Sequence, residues 1–202
     1  MYEITDSRVL LDAAIIAVRR DAVTMPGGRS AHREIVEHFG AVAVVAHDGE
    51  RLALVRQYRH PLGRRLWELP AGLLDIAGED AVDAARRELM EEAGLSARRW
   101  EMLLDVATSP GVSDEVTRVY LATGLAPTPR PEPRDEEADM ELAWVTLAQA
   151  KEMILRGEIV NAVAVAGIFA AAEGMTRPVD TPFALRPQAL VRRRGGSGAD
   201  MA

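Results

Sequence analysis

The strongest structural signal in the sequence is a helix in the middle of the chain. Residues 78–94, GEDAVDAARRELMEEAG, lie between two glycines and contain no proline. Their apolar side chains recur at intervals of three and four residues, which places them on one face of a helix. These side chains are Val82, Ala85, Leu89 and Ala93. The pattern predicts an amphipathic helix that packs one face on a core and ends at Gly94.

Short apolar segments on both sides of this helix have the length and composition of strands. Residues 41–46 and 52–59 are separated by a turn containing Asp48-Gly49, a step typical of β-hairpins. Residues 8–24 and 32–37 predict an antiparallel meander. Further strands are expected at 66–74 (strand or loop), 100–109, 117–125 and 140–147, and further helices near 147–156 and 161–173.

Composition excludes several classes of protein. No run of about 18 apolar residues suggests a membrane span, and the acidic start lacks a signal peptide, so we expect a cytoplasmic protein with no membrane partner. The net charge of −7 disfavours nucleic acid as a partner. Since the chain has no cysteine and four histidines, a bound metal is expected to be held mainly by carboxylate oxygens.

The polar face of the helix carries three glutamates at i, i+3 and i+4: Glu88, Glu91 and Glu92. This spacing places the carboxylates within roughly a third of the helix circumference, where each i,i+4 pair repels by a few tenths of a kcal/mol. A divalent cation would offset that repulsion, and Mg²⁺ prefers carboxylate oxygen and substrate phosphate. The alternative interpretation is a solvated acidic face, in which Arg87 pairs with Glu91.

The residues around these glutamates resemble the Nudix box, G-x5-E-x7-R-E-U-x-E-E-x-G-U, in which U is aliphatic. Every fixed position after Gly72 is filled, by Glu79, Arg87, Glu88, Leu89, Glu91, Glu92, Gly94 and Leu95. The sequence departs from this pattern by one extra residue between Gly72 and Glu79. It lies in the loop ahead of the helix, where a residue can be absorbed without rotating the carboxylates.

The resemblance implies a fold of the α+β class, an α/β/α sandwich in which a mixed β-sheet lies between helices. It implies a loop–helix–loop that holds Mg²⁺, with Mn²⁺ as the alternative, through Glu88, Glu91, Glu92 and the backbone carbonyl of Ala71. Arg87 would orient these carboxylates without touching substrate. The implied reaction is the hydrolysis of a nucleoside diphosphate linked to another group, by attack of water on phosphorus.

Features outside the box resemble the ADP-ribose pyrophosphatase branch of that family. Pro110, in Ser109-Pro110-Gly111, follows the box at the spacing found in that branch, although a turn proline is the plain alternative. The residue matching Arg59 contacts phosphate in the branch, and that matching Glu68 lies beside the substrate. A surface ion pair is the alternative for Arg59. Arg33 matches an arginine on the adenine side.

Two further expectations come from the same resemblance. The acidic segment DEEAD, residues 135–139, is similar to a loop that activates water, with Glu137 as the first choice of catalytic base and Glu136 as the second; a merely solvated loop is the alternative. The N-terminal meander is expected to pair with a second copy in a homodimer and to help build the partner's substrate site. An aromatic residue often stacks on adenine there, whereas this chain has Ile15 and Ile16.

These features predict an N-terminal β meander at 1–39, a hydrolase domain at 40–185 and a disordered tail at 186–202. The expected reaction is the Mg²⁺-dependent conversion of ADP-ribose to AMP and ribose 5-phosphate. One alternative is hydrolysis of another nucleoside diphosphate sugar or of a dinucleotide. A second is a non-catalytic, nucleotide-sensing module, which the intact glutamates disfavour. RNA decapping is disfavoured by the acidic charge.

Overall fold

The computed structural model describes residues 2–130, 132 and 139–185. The expectations for Glu136, Glu137 and the 186–202 tail therefore lie outside the described residues. The strands are β1 (Glu3–Asp12), β2 (Ile16–Thr24), β3 (Ser30–His38), β4 (Ala41–His47), β5 (Arg51–Arg59), β6 (Arg64–Glu68), β7 (Ala71–Leu73), β8 (Leu95–Ala107), β9 (Val116–Pro127) and β10 (Glu141–Thr146). The helices are α1 (Ala81–Ala93), α2 (Leu147–Leu155) and α3 (Ala162–Ala172).

The first three strands form a separate antiparallel sheet in the order β1-β2-β3, which confirms the predicted meander. The turn between β2 and β3 is closed by two backbone hydrogen bonds, from the N–H of Met25 to the carbonyl of Arg29 and from the N–H of Gly28 to the carbonyl of Met25. Every residue of β1 is exposed, including its apolar side chains. This sheet therefore leaves its outer strand uncovered in the single chain.

The second sheet has the order β10-β5-β4-β9-β8, with β6 paired to β5 and β7 paired to β4. Strands β4 and β9 are parallel and the other paired strands antiparallel, so the predicted mixed sheet is confirmed. The segment expected at 66–74 forms two short strands, β6 and β7. Strand β8 starts at Leu95, directly after the helix, and not near residue 100 as expected.

The predicted β4–β5 hairpin forms only at its turn. His47 and Leu52 pair, but beyond them the two strands separate. Residues 70–73 occupy the edge of β4, where the N–H of Val44 donates to the carbonyl of Pro70 at 2.8 Å and Ala43 pairs with Ala71. The Asp-Gly step correctly marked the turn. A local signal could not show that a later segment would replace β5 beside β4.

Apolar side chains cover both faces of this sheet. On β4, Val42 and Val44 pack in one core cluster with α1, and Ala43 and Val45 pack in a second cluster with α3. Successive side chains of a strand point to opposite faces, so a continuous apolar strand fits a sheet buried on both sides. The predicted sandwich of helices around a sheet is confirmed. No helix in the described part of the chain has the length and apolar content to cross a membrane.

Candidate active site

Helix α1 is placed by its apolar face and by the glycine that ends it. Ala85, Leu89 and Ala93 are buried, as their spacing predicts. Gly94 has a φ of +64°, a left-handed conformation that glycine adopts without strain, and its N–H bonds to the carbonyls of Leu89 and Met90. The helix therefore has a defined rotation about its axis, which fixes where its glutamates point.

The glutamates of α1 do not form a solvated face. Glu88 is 8% exposed and Glu92 is 6% exposed, so the alternative interpretation of a solvated face is wrong for these two residues. Glu91 is partly exposed. Carboxylates are rarely this buried unless they are paired or bind a metal ion. Their environment therefore has to supply compensating charge.

Arg87 supplies part of that charge. Its guanidinium donates to both oxygens of Glu79 at 3.0 Å, to Glu88 at 2.5 Å and to Glu91 at 3.2 Å. These hydrogen bonds, above all those to Glu79, raise the pKa of Arg87 above its ordinary value. Arg87 thus holds two of the predicted ligands from one side. This is the geometry that its predicted orienting role requires.

Glu92 turns away from Arg87 and towards the sheet. Its Oε2 accepts a hydrogen bond of 2.9 Å from the backbone N–H of Ala71. Burial raises the pKa of Glu92 to about 8, even though the Ala71 hydrogen bond and the charge of Arg59 act in the opposite direction. The negative charges of Glu88 and Glu68 raise it further. The structure therefore brings together Glu92, Ala71, Glu88, Arg59 and Glu68, all of which sequence reasoning selected.

Gly72 makes the close approach of β7 to the helix possible. A β-carbon at this position would collide with the carboxylate of Glu88. The contact exists although Gly72 and Glu79 are one residue further apart than in the family pattern. The extra residue is accommodated in the loop between β7 and α1, as expected.

The residues of this site fit a hard divalent cation. Burial raises the pKa of the Glu88 carboxyl as well, with the nearby charges of Glu91 and Asp75 adding to the effect, so a bound cation would relieve the electrostatic cost of ionising the cluster. In the described residues no three acidic or histidine side chains lie together in a group that could hold a metal ion, and the carboxylates of α1 bond instead to Arg87 and to the Ala71 amide. An open set of oxygen donors suits Mg²⁺, which keeps water and substrate oxygens in its shell.

Of the three glutamates of α1, Glu92 lines a cleft of about 1220 Å³. Glu92, Ala71 and Gly72 lie on its wall together with Arg59 and Glu68. The start of α3 and Met140, which follows the acidic segment, line it as well. A cleft of this size is large enough for a ligand of nucleotide dimensions.

Arg59 and Glu68 form a bidentate pair in this cleft. Arg59 Nη2 lies 2.6 Å from Glu68 Oε2, and Arg59 Nε lies 3.0 Å from Glu68 Oε1. The Glu68 side chain is 3% exposed and that of Arg59 is 38% exposed, so the ion pair is partly buried, and the phosphate contact of Arg59 stays a prediction. Gln57 also donates to Glu68, at 3.4 Å. Sequence reasoning missed Gln57, although it lies two residues before Arg59 and thus on the same face of β5.

Two predicted substrate residues do not line this cleft. Pro110 borders a smaller cavity of about 200 Å³, while its neighbour Ser109 reaches the large one. Arg33 is exposed on β3, where it donates to the carbonyl of His32 at 2.8 Å. Neither residue is placed against the carboxylate cluster of its own chain, and their roles stay predictions.

Sequence reasoning also missed a second polar group on the cleft wall. It consists of His38, Thr108 and Glu115. Thr108 and Glu115 flank the Ser-Pro-Gly segment on its two sides, which is a signal that sequence analysis could have used. His38 ends a strand of the other sheet, so only the tertiary structure relates it to them.

Comparisons with known proteins agree with this geometry. The sequence profile described as the NUDIX domain matches residues 36–165. The chain is 53% identical to an ADP-ribose pyrophosphatase of Mycobacterium tuberculosis over 96% of both chains. It is 37% identical to a methanol dehydrogenase activator of Bacillus methanolicus, over 79% of this chain and 86% of that protein. A crystal structure of an ADP compounds hydrolase superposes with a TM-score of 0.76 at 20% identity, over 86% of this chain and 93% of that one, which supports the fold.

Proposed function

The chain belongs to the NUDIX family of hydrolases, and from this premise we propose that it hydrolyses the pyrophosphate of ADP-ribose to AMP and ribose 5-phosphate with Mg²⁺. The observation that carries the proposal is the buried carboxylate of Glu92 on α1, which lines one cleft together with the Arg59–Glu68 pair. Such a site offers acidic ligands for a metal and a guanidinium for phosphate. The relative with 53% identity favours ADP-ribose as the substrate.

The carboxylates of Glu88, Glu91 and Glu92 and the Ala71 carbonyl would hold the metal. Mg²⁺, when bound, would polarise phosphoryl oxygens and lower the pKa of the attacking water. The protein's own contribution is to hold the ligands in place before substrate arrives. Arg87 restrains Glu88 and Glu91, and the Ala71 amide restrains Glu92. Because these carboxylates are already held in place, less free energy is spent on ordering them when the reaction takes place.

Arg59 would bind the diphosphate. Its guanidinium is held by Glu68 through a bidentate contact, and its side chain is 38% exposed, so it faces both its partner and the cleft. A guanidinium oriented in this way loses less conformational entropy when it binds phosphate oxygens. Glu68 thus acts through Arg59, as a positioning residue.

The reaction needs a base for water. We assign that role to Glu137, with Glu136 as the second choice, on the resemblance of the acidic segment to the corresponding loop of the branch. Water oxygen would attack one phosphorus, the bond from that phosphorus to the bridging oxygen would break, and the water proton would pass to the glutamate. A free carboxylate is a weak base, so this step also needs the water to be more acidic than bulk water.

We further propose a homodimer formed through the N-terminal sheet. Its outer strand exposes Ile4, Val9, Leu10 and Leu11, at 59%, 48%, 46% and 51% exposure. Large exposed apolar side chains on an uncovered outer strand are typical of a protein–protein contact. Arg33 lies on the same sheet, away from its own cleft, and in such a dimer would serve the partner's substrate site. Cytoplasmic residence stays a prediction from the sequence.

A substrate panel tests the proposed reaction. We expect kcat/KM with Mg²⁺ to be higher for ADP-ribose than for other ADP-sugars, GDP-sugars and dinucleotides. The dinucleotides belong in the panel because the sequence leaves them open as alternative substrates. A higher kcat/KM for another compound would move the assignment to that substrate. Nucleotide binding without turnover would favour the sensing module. Product analysis in ¹⁸O-labelled water identifies the attacked phosphorus.

A further inference from the structure

A buried charged pair joins β8 to β9 and is not used by the metal site or by Arg59. Arg118 binds both carboxylate oxygens of Asp105, from Nε to Oδ1 at 2.8 Å and from Nη2 to Oδ2 at 2.9 Å. The two side chains are 3% and 5% exposed. Taking two charges out of water is costly unless further hydrogen bonds satisfy both groups. The surroundings of the pair therefore have to supply such bonds.

The chain after α3 supplies these hydrogen bonds. We call residues 177–185 the C-terminal strap. The carbonyl of Thr181 accepts from Arg118 Nη1 at 2.6 Å. The backbone N–H of Ala184 donates to Asp105 Oδ2 at 2.9 Å. The strap therefore bonds to both members of the pair.

The strap is also attached by apolar and backbone contacts. The ring of Phe183 lies over the guanidinium of Arg118, with its centroid 3.5 Å from Cζ, which is a cation–π contact. Phe183 and Val179 pack against the core cluster that contains α1. At the start of the strap, Arg177 and Met102 of β8 exchange two backbone hydrogen bonds, at 2.8 and 3.0 Å. The strap is therefore part of the folded core and covers the face of the sheet that carries Arg118.

The opposite face of the same two strands lines the cleft. Thr117 precedes Arg118 on β9, and successive side chains of a strand point to opposite faces. Thr117 lines the cleft, and so does Thr108, which directly follows β8. At the end of the strap, Leu185 borders the cavity of about 200 Å³ together with Pro110. The strap and the cleft therefore lie on the two sides of one layer of sheet.

The register between β8 and β9 changes immediately before the charged pair. The pairing of the two strands is irregular between Met102 and Leu104, and Met102 is the residue that bonds to the strap. Beyond such an irregularity, the register decides which side chains face each side of the sheet. Asp105 lies directly opposite Arg118 in the register that continues towards the cleft. The pair and the strap thus act where this register is set.

Stability alone does not account for the charged pair. Apolar side chains of similar volume often stabilise a core as much as a buried ion pair does, or more. A planar guanidinium that binds both oxygens of one carboxylate adds a defined distance and orientation. Between two strands, this geometry fixes the position of one strand against the other.

We propose that Arg118 is a positioning residue for the cleft and that the C-terminal strap holds it in place. The inference rests on the proposed function, because it concerns how the cleft binds a nucleoside diphosphate sugar. The metal ligands and Arg59 belong to other elements of the fold. Loosening the strap should therefore displace the cleft wall at Thr108 and Thr117, and weaken substrate binding more than it slows the chemical step.

The test compares variants of the strap with a variant of the same core cluster far from the cleft. Phe183→Ala removes the ring over Arg118, and Phe183→Leu keeps apolar packing without the aromatic face. Arg118→Lys keeps the charge but cannot bind both carboxylate oxygens and the Thr181 carbonyl together. Leu125→Ala is the matched control, because Leu125 packs in the same cluster at the other end of β9, opposite Ala97.

Two measurements are made on each variant, together with its Tm. Amide hydrogen exchange of residues 108–118, followed by mass spectrometry, does not depend on turnover. We expect Phe183→Ala to speed exchange there by about tenfold or more, as local opening of a loosened segment predicts. Steady-state kinetics with ADP-ribose and Mg²⁺ should show KM raised by about fivefold or more and kcat changed less. Arg118→Lys should act in the same way, Phe183→Leu should have a smaller effect, and Leu125→Ala should lower Tm without raising KM.

The results that would overturn the inference are equally defined. Unchanged exchange of residues 108–118 in Phe183→Ala would show that the strap does not hold the cleft wall. Equal increases of KM in Phe183→Ala and in Leu125→Ala, at a similar loss of Tm, would show that the strap contributes to stability alone. Failure of the wild-type protein to hydrolyse ADP-ribose would instead count against the proposed function, and the exchange measurement would still decide whether the strap positions the wall.

Discussion

The carboxylate of Glu92 and the backbone N–H of Ala71 are joined by a hydrogen bond of 2.9 Å across the boundary between helix and sheet. Ala71 belongs to β7, which pairs with the central strand β4. Glu92 is therefore held by the backbone of the sheet and not by a flexible side chain. Its position depends on the packing of the whole core.

Replacing Glu92 by Gln should lower kcat by at least about 100-fold and leave the fold intact. The amide oxygen of Gln can still accept from Ala71, but the charged metal ligand is lost. Steady-state kinetics at saturating Mg²⁺ and circular dichroism check the two parts of this expectation. Asp83→Asn, on the exposed side of the same helix, is the control and should retain activity. Near-normal turnover of Glu92→Gln would contradict the metal assignment.

The raised pKa of Glu92 predicts that, as pH rises, Mg²⁺ stabilises the protein more strongly while the free energy of unfolding of the metal-free protein falls. A carboxyl group whose pKa rises on folding keeps its proton in the folded chain while the unfolded chain ionises. The free energy of unfolding of the metal-free protein should therefore fall as pH rises from 4.5, the ordinary value, to about 8. Mg²⁺ must displace that proton in the same interval, so its stabilising effect should grow with pH.

Thermal unfolding at about pH 6 and about pH 8.5, with EDTA or with Mg²⁺, measures this dependence. The increase in Tm caused by Mg²⁺ should be larger at the higher pH in the wild-type protein. The Glu92→Gln variant should lose most of that difference. An equal increase in Tm at both pH values in the wild-type protein would show that Glu92 does not exchange a proton for the metal.

Replacing Glu137 by Gln should lower kcat while the Mg²⁺ concentration for half-maximal activity stays the same. The reason is that a general base acts on water, whereas the metal is held by the glutamates of α1. General bases contribute about 10²- to 10⁴-fold. Glu136→Gln is the companion variant. An unchanged kcat for Glu137→Gln together with a reduced kcat for Glu136→Gln would move the role to Glu136, and unchanged values for both would move it to a glutamate of the helix.

Because strand β1 is exposed, we expect a dimer that is weakened when a single charged residue is introduced on this strand. The wild-type protein should have twice the chain mass of 22.0 kDa in light scattering, and Leu10→Glu should shift it towards the monomer. Leu155→Glu is the matched control, since Leu155 is 83% exposed on α2, away from this sheet. A monomeric wild-type protein, or equal effects of the two variants, would contradict the proposed interface.

Because Arg33 lies away from its own cleft, the proposed dimer can be tested by measuring the activity of mixed dimers. If Arg33 serves the partner's site, Arg33→Ala and Glu92→Gln should each be impaired alone. A mixture re-equilibrated into heterodimers should regain activity, because one of its two sites has both residues intact. No recovery in the mixture would place Arg33 with its own chain's site or outside the reaction.

Sequence patterns located the helix and its chemistry because those signals are local. The glutamate spacing on α1, the stop at Gly94 and the continuous apolar run of β4 each depend on neighbours a few residues away. The burial of Glu88 and Glu92 was missed for the opposite reason. Their burial depends on the pairing of residues 70–73 with β4, which is a tertiary contact. The spacing of residues along a helix gives no information about such a contact.

Other contacts could not be predicted from the sequence either, because they also join segments that are far apart along the chain. His38 meets Glu115 only because the loop after β8 binds the end of β3. The C-terminal residues give a second case, since the Thr181 carbonyl and the Phe183 ring both contact Arg118, which forms a buried ion pair with Asp105 at 2.8 Å. Sequence analysis assigned these residues no contact. Polar pairs that join distant segments have no periodic signature in the sequence.

The contact between Gly72 and the Glu88 carboxylate bears on how such sites are recognised. The first glycine of the motif is tied to the helix by proximity in space and not by a fixed count of intervening residues. A search that demands a set loop length would overlook a chain like this one, which has six residues where the family pattern has five. A criterion based on which backbone atom must lie against which carboxylate would tolerate loops of many lengths, and would reject chance matches whose glycine lies elsewhere.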